Sequence, residues 1–119
     1  MNNRVLGDKG EQIAAEYLLE NKYEILARNY KLKFAEIDII AQKGTSIIFI
    51  EVKTRKSLDY GYPSQAVNVR KQRKIIHAAQ AYIASLSDQH YDFRFDVIEV
   101  LWKKEDSYLV NHIMNGFEM

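Results

Sequence analysis

Hydrophobic and polar positions alternate along the chain with two different periods, and together they predict seven elements. Apolar residues recur at helical spacing in two stretches, residues 8–22 and about Ser64–Leu86. Five further segments rich in Ile, Val, Tyr and Phe are typical of strands: residues 23–33, Ala35–Gln42, Ser46–Arg55, Phe93–Trp102 and Ser107–Met114. The order α-β-β-β-α-β-β predicts an α/β fold in which a mixed β-sheet is flanked by helices.

Individual residues add local detail to this order. The run Lys43-Gly44-Thr45 predicts a turn that joins the second and third strands into a hairpin. Asp8 is a suitable N-cap for the first helix. The third strand begins with apolar residues on both faces, so we expect it to lie in the middle of the sheet. In the fourth strand Asp96 interrupts an apolar run, which a position at the edge of the sheet would explain.

Charged side chains occupy strand faces that should be apolar. On the third strand Glu51 and Lys53 continue the face that Phe49 occupies, because successive side chains alternate between faces. On the second strand Asp38 breaks a similar pattern, and the predicted hairpin brings it near Glu51. Half-buried charges are costly unless they are paired or bind a metal. Clustered carboxylates without Cys or His suit Mg²⁺ or Mn²⁺, and an internal ion pair of Lys53 with Glu51 or Asp38 is the alternative.

Both helices place a charge on the side that should face the core. Glu11 lies on the same side of the first helix as Leu18, although a capping box in which Glu11 reaches back to Asp8 would also explain it. Lys71 lies on the apolar stripe of the second helix with Ile75, near the N-terminal end. A lysine that extends its ammonium to solvent is the simpler explanation there.

The combination of an Asp, twelve intervening residues and Glu-x-Lys is used for metal-dependent cleavage of phosphodiesters. Asp38 and Glu51 would hold the cation, which polarises a phosphate oxygen and lowers the pKa of a bound water. Lys53 would orient or activate the attacking water, or stabilise charge on the phosphate.

Composition and charge narrow the classes of protein. A chain of 119 residues forms a single domain, over residues 1–119, and the absence of Cys excludes disulfides, thiolate zinc sites and a cysteine nucleophile. No segment has the apolar length of a membrane span and the N-terminus lacks a secretory signal, so we expect a cytoplasmic protein. The net charge is only +1, but seven basic residues and one acidic residue lie between Lys53 and Lys74. This segment would attract a polyanion, although a solvated helix face also accounts for such a run.

Several motifs together resemble the YraN-like family of uncharacterised bacterial proteins. They are Gly7-x-x-Gly10-Glu11-x-x-Ala14, Glu36-Ile37-Asp38-Ile39-Ile40-Ala41, Phe49-Ile50-Glu51-Val52-Lys53-Thr54-Arg55, the stretch from Gln65-Ala66-Val67 to Lys71-Gln72, and Arg94-Phe95-Asp96-Val97-Ile98. The resemblance implies a restriction-endonuclease-like core of the PD-(D/E)xK nuclease superfamily, similar to archaeal Holliday junction resolvases. It also implies a site made of Glu11, Asp38, Glu51, Lys53 and Gln65. The chain departs from the family at Ala35, where Gly is usual.

We therefore expect a nuclease that depends on Mg²⁺ or Mn²⁺ and hydrolyses phosphodiester bonds in DNA, including branched or single-stranded structures. The expected DNA contacts are Arg55, Gln65, Arg70, Lys71 and Lys74. Two alternatives remain open: a non-catalytic nucleic-acid-binding module of the same fold, and a structural protein whose charges form internal ion pairs. Symmetric cutting of two strands would require two sites, which allows for a homodimer.

Overall fold

The computed structural model describes residues 3–56, 67–87, 90–104 and 107–119 of the chain. Two helices and five strands follow the predicted order: α1 (Asn3–Glu20), β1 (Glu24–Lys31), β2 (Glu36–Lys43), β3 (Ser46–Lys56), α2 (Val69–Ala84), β4 (Asp92–Lys104) and β5 (Ser107–Phe117). The predicted α/β class is confirmed, and the order is consistent with a restriction-endonuclease-like core.

The five strands form one mixed sheet in the order β1-β2-β3-β4-β5, so β3 is central as predicted. β3 and β4 run parallel and the chain between them contains α2, whereas the other neighbouring strands are antiparallel. The predicted hairpin joins β2 to β3, and its turn contains Gly44 with a φ of 61°. This left-handed conformation costs glycine little because it has no Cβ.

One helix covers each face of the sheet. α1 buries Leu18 against Ile48 and Ile50 of β3 in one apolar cluster. On the opposite face, α2 buries Ile75 in a second cluster that includes Phe49. Burial of both faces explains why β3 begins with a continuous apolar run instead of an alternating pattern.

The predicted start of the first helix is wrong. α1 begins at Asn3, so Asp8 lies within the helix and does not cap it. Leu6 is buried and gives the additional turn an apolar contact with the rest of the protein. The capping box with Glu11 is therefore also wrong, and Glu11 requires another explanation.

The second helix begins later than predicted. α2 starts at Val69 instead of Ser64, because Asn68 has an extended backbone (φ −67°, ψ 160°) and its side chain accepts a hydrogen bond of 2.8 Å from the N–H of Lys71. Asn favours such a cap over a helix interior. Within the described ranges, neither helix has both the length and the apolar character needed to cross a bilayer.

The explanation of Asp96 by an edge strand is also wrong. β4 lies between β3 and β5, and Asp96 is completely buried. Its carboxylate accepts hydrogen bonds of 2.8 Å from Nε of Arg94, 2.7 Å from Nε2 of His112 and 3.0 Å from the N–H of Asn115. These partners replace the solvent that an exposed edge would have supplied.

Candidate active site

β2 and β3 separate at the point where Asp38 and Glu51 lie. The ladder between the two strands extends from the pair Lys43–Ser46 to the pair Ile39–Ile50. Just beyond it, Oδ2 of Asp38 accepts a hydrogen bond of 2.8 Å from the backbone N–H of Val52. The carboxylate thus occupies the place of a strand carbonyl. The carboxyl groups of Asp38 and Glu51 lie close enough for each to alter the pKa of the other.

This pair of carboxylates is electrostatically strained. Burial, followed by the charge of Asp38, raises the pKa of Glu51 from 4.5 to about 7. Burial also raises the pKa of Asp38, although the N–H of Val52 and the ammonium of Lys71 oppose the increase. Two carboxyl groups in contact do not both ionise readily without a nearby cation. The fork between the strands is therefore a place where a positive charge would be stabilised.

Lys71 supplies one such charge from α2. Its Nζ lies 3.5 Å from Oε1 of Glu51, and 52% of its side chain is exposed, compared with 9% for Glu51. The capping bond from Lys71 to Asn68 fixes the first turn of the helix beside the fork. Lys71 therefore contacts the candidate site in addition to reaching solvent.

Glu11 reaches the same place because α1 comes very close to β3. A Cβ at Gly10 would collide with the side chain of Thr54. Oε1 of Glu11 is buried 3.8 Å from Nη2 of Arg28 and receives no hydrogen bond from any residue in the described part of the chain. Burial, and then the charge of Asp38, raises the pKa of Glu11.

A cavity of about 390 Å³ connects these groups. Three of the predicted catalytic carboxylates are among its lining residues, which are Arg4, Leu6, Gly7, Asp8, Glu11, Asp38, Glu51, Val52 and Thr54. Its volume is within the range of small ligand sites. The structure thus brings together residues from α1, β2 and β3 that are far apart in sequence.

Lys53 is on the strand that carries Glu51 but does not line the cavity. It is half-buried, and the regular β3–β4 pairing places it on the same face as Glu51. Its partner in register on β4 is Glu99, which is completely buried and accepts a hydrogen bond of 3.1 Å from Asn111. Lys53 therefore lies beside the fork, next to a further carboxylate.

The predicted DNA contacts fall into three groups. Arg70 and Lys74 are exposed on the first turns of α2, near Lys71. Arg55 is half-buried at the end of β3. Gln65 lies outside the described residues.

Comparison with known proteins places this arrangement in a family. The sequence model of the family described as "Uncharacterised protein family UPF0102" matches residues 10–100. A UPF0102 protein of Caldanaerobacter subterraneus subsp. tengcongensis is 49% identical over 119 residues, with 98% of each chain covered. The chain belongs to the UPF0102 family. UPF0102 proteins of Clostridioides difficile (46% identity, 98% of this chain and 100% of the relative) and Chlorobium phaeobacteroides (48%, 96% and 94%) are also similar to it.

The segment that matches the UPF0102 family contains the three carboxylates of the candidate site, whereas four residues of the cavity wall precede it: Arg4, Leu6, Gly7 and Asp8. It begins at Gly10, the residue that allows α1 to approach β3, and ends at Val100 in β4. Glu11, Asp38 and Glu51 all fall within it. β5 lies outside the match, and it contributes no residue to the cavity wall described above.

The carboxylates of the candidate site can be compared with the ligands that a divalent cation requires. Among the described residues, no three His, Asp or Glu side chains converge closely enough to hold an ion by themselves. Mg²⁺ does not require three, because it commonly keeps several waters and takes one or two carboxylates together with substrate phosphates. The neighbouring carboxyl groups of Asp38 and Glu51 and the unbonded oxygen of Glu11 fit this requirement.

Sequence reasoning missed two residues beside the site. Glu99 ends an apolar face of β4 after Phe95 and Val97, which is the same signal that identified Glu51. Arg28 of β1 contacts both Glu11 and Gln12 of α1. Nothing in the pattern of β1 distinguishes Arg28 from its other polar residues, so only the packing of α1 reveals it.

Proposed function

We propose that this UPF0102 protein is a metal-dependent nuclease that hydrolyses phosphodiester bonds in DNA. The observation that carries the proposal is the close approach of two carboxyl groups, half-buried Asp38 and buried Glu51, at one cavity where β2 and β3 separate. A protein that binds no cation would gain nothing from placing two mutually repulsive carboxylates at a cavity. The resemblance to PD-(D/E)xK nucleases and to archaeal Holliday junction resolvases supports the same function.

Asp38 and Glu51 would hold Mg²⁺ or Mn²⁺, and Glu11 would assist from the α1 side of the cavity. A bound cation would polarise a phosphate oxygen and lower the pKa of a water molecule. In the hydrolysis, a bond forms between the water oxygen and phosphorus, and the bond from phosphorus to one ester oxygen breaks. That oxygen leaves with a proton.

The basic side chains complete the proposed reaction. Lys53 would orient the attacking water and stabilise the negative charge that develops on the phosphate. Lys71 would hold the phosphate next to Glu51, since its ammonium already lies 3.5 Å from that carboxylate. Arg70 and Lys74 would contact neighbouring phosphates along the backbone.

The test is a cleavage assay on end-labelled single-stranded, duplex, flap and four-way-junction DNA, with Mg²⁺ and separately with Mn²⁺. We expect cleavage by the native protein, and a loss of at least about 100-fold in Glu51→Gln and in Asp38→Asn. Asp92→Asn is the matched control, because Asp92 is an exposed carboxylate at the Ser46 end of the sheet, away from the fork. Cleavage that persists in Glu51→Gln would contradict the proposal.

A non-catalytic nucleic-acid-binding module is the second candidate. It is favoured by the lack of three converging metal ligands among the described residues and by the exposed basic side chains on α2. Gel shifts on the same substrates distinguish the two functions. DNA that is bound but not cut with either metal would support the binding module.

A further inference from the structure

The turn between β1 and β2 presents an aromatic ring to solvent in an unusual way. Phe34 is 76% exposed, which is the highest fraction among the exposed large hydrophobic side chains in the described part of the chain. The turn is held by a hydrogen bond of 2.8 Å from the N–H of Leu32 to the carbonyl of Ala35. Leu32 and Ala35 pack against the apolar cluster beneath α2. The ring therefore projects from a turn that is itself anchored to the core.

Four lysines from two separate segments line the same groove as this ring. Phe34 lines a groove of about 370 Å³ with Lys31 and Lys33 from the β1–β2 turn and Lys71 and Lys74 from α2. Nζ of Lys33 lies 5.4 Å from the centre of the Phe34 ring. One face of the Phe34 ring thus lies near an ammonium group. The large exposed fraction of the side chain leaves room for a planar ligand group to stack on the ring.

The groove lies next to the candidate active site, and Lys71 relates the two. Lys71 belongs to its wall and also contacts Glu51, so a phosphate held by Lys71 would lie beside the carboxylate pair. Glu36, the one acidic residue among those lining the groove, begins β2 two residues before Asp38. A ligand in the groove would therefore extend toward the fork.

An exposed aromatic ring among lysines matches one ligand chemistry in particular. Nucleic-acid strands combine a phosphate backbone, which lysines neutralise, with flat bases that stack on aromatic rings when they are unpaired. A base within a duplex is already stacked on both sides, so Phe34 would add little to duplex binding. The groove thus distinguishes strands with unpaired bases from continuous duplex.

We propose that Phe34 and the surrounding Lys31, Lys33, Lys71 and Lys74 form a binding site for an unpaired nucleotide, which directs the neighbouring phosphate to the Asp38–Glu51 fork. The inference rests on the proposed nuclease function for its role in catalysis, but the binding itself is measured separately. It assigns substrates with single-stranded or branched segments to this protein. None of Phe34, Lys31 and Lys33 belongs to the basic segment identified from sequence.

Fluorescence anisotropy in EDTA measures binding without cleavage. For a labelled single-stranded oligonucleotide we expect Phe34→Ala to raise Kd about tenfold, since one base-stacking contact is lost. Phe34→Leu should weaken binding similarly, because it keeps apolar bulk but has no ring, whereas Phe34→Trp should retain affinity. Blunt duplex binding should change less than about twofold in all three variants. Leu109→Ala is the matched control, since Leu109 is 50% exposed on β5 at the other edge of the sheet.

The lysines are tested through salt dependence. Lys74→Gln should reduce the slope of log Kd against log salt concentration by about 0.7 for a single strand, the value for one lost phosphate contact. Lys43→Gln, at the opposite end of β2, should leave the slope unchanged. An RNA oligonucleotide of the same sequence, run in parallel, shows whether the site accepts both sugars.

The outcomes separate this inference from the proposed function. Single-strand affinity that is equal in Phe34→Ala and the native protein overturns the inference, even where Glu51→Gln abolishes cleavage. Equal weakening of single-strand and duplex binding overturns it too, because stacking of an unpaired base predicts a difference. Selective loss of single-strand binding supports it, whether or not cleavage is found.

Discussion

Asp96 and Glu51 are both buried carboxylates, yet their surroundings move their acidities in opposite directions. Burial alone would raise the pKa of Asp96, but hydrogen bonds from His112, Arg94 and the N–H of Asn115 together bring it below its usual range. Glu51 is buried beside another carboxylate, and among the described residues it is Lys71 that opposes the increase in its pKa. Asp96 is therefore stabilised as an anion, as expected of a structural group. The raised pKa of Glu51 is instead typical of groups at functional sites.

The network around Asp96 predicts a large stability effect. Asp96→Asn should lower the free energy of unfolding by about 3 kcal/mol at pH 7, because it leaves Arg94 and His112 without their buried anion. Since the pKa of Asp96 is lowered in the folded state, its contribution is present above its ordinary pKa of 3.8 and is lost as the pH falls below that value. Urea unfolding at pH 7 and pH 3 measures both effects. Asp92→Asn, on the same strand but exposed, should show little change at pH 7.

The contribution of Glu51 to stability is predicted to change with pH in the direction opposite to that of Asp96. The folded-state pKa of Glu51 is raised from 4.5 to about 7, so the contribution of Glu51 to stability is fully present below pH 4.5 and is lost as the pH rises through 7. Glu51→Gln should therefore be more stable than the native protein at pH 8, by about 2 kcal/mol, and the difference should shrink at pH 5. Urea titrations of both proteins at the two pH values test this. A variant that is less stable than the native protein at pH 8 would contradict it.

At the scale of elements, the site depends on the distance between α1 and β3. Gly10 allows the helix to rest against Thr54, and the next residue, Glu11, is then carried to the cavity. Helices normally avoid glycine because it costs conformational entropy. Its presence in α1 is explained by the close packing that it permits.

Two glycines in the same helix offer a matched comparison. Gly10→Ala should destabilise the protein by about 2 kcal/mol, because its Cβ collides with Thr54 and α1 must move away from β3. A Cβ at Gly7 would have no atom within 4 Å, so Gly7→Ala should stabilise the protein by up to about 1 kcal/mol through helix propensity. Thermal unfolding of the two variants, followed by circular dichroism, measures the difference. Equal effects of the two substitutions would show that the packing of Gly10 on Thr54 is not limiting.

At the scale of the whole molecule, a net charge of +1 conceals a segregation of charge. Carboxylates converge where β2 and β3 separate, and lysines from the β1–β2 turn and from α2 converge on the adjoining groove. A polyanion would be attracted to the groove and would bring its own phosphates to the carboxylates. A divalent cation would be required between the two negative groups.

Metal binding should therefore appear as a change in overall stability. With Mg²⁺ at about ten times its Kd, the free energy of unfolding should rise by about 1.4 kcal/mol, which is a Tm increase of roughly 5 °C. The increase should be larger at pH 8 than at pH 6, because the ion binds the deprotonated form of Glu51, whose pKa is about 7. Differential scanning fluorimetry of the native protein and Asp38→Asn tests this. A Tm that responds equally to Mg²⁺ in both would show that the ion binds elsewhere.

Local patterns were sufficient for the order of the elements, the central position of β3 and the proximity of Asp38 to Glu51. These properties depend on the alternation of apolar and polar side chains along a strand and on a short turn, and both are determined by residues that are close in sequence. Helix starts were less predictable, because burial of Leu6 and capping by Asn68 overrode the expected signals. The buried site of Asp96 was missed for a related reason. Its partners Arg94, His112 and Asn115 come from two strands that meet only in the sheet.

Amino-acid sequence alone therefore determined which ionisable groups lie at the site, since residue type and strand periodicity place an Asp, a Glu and a Lys at the end of a buried face. Tertiary structure alone decided which groups surround them. It brought Glu11 to the cavity through the contact of Gly10 with Thr54, paired Lys71 with Glu51, and joined Phe34 to lysines from α2 in one groove. Such contacts depend on how separate elements pack, and packing distances are set by many side chains at once and not by any single segment.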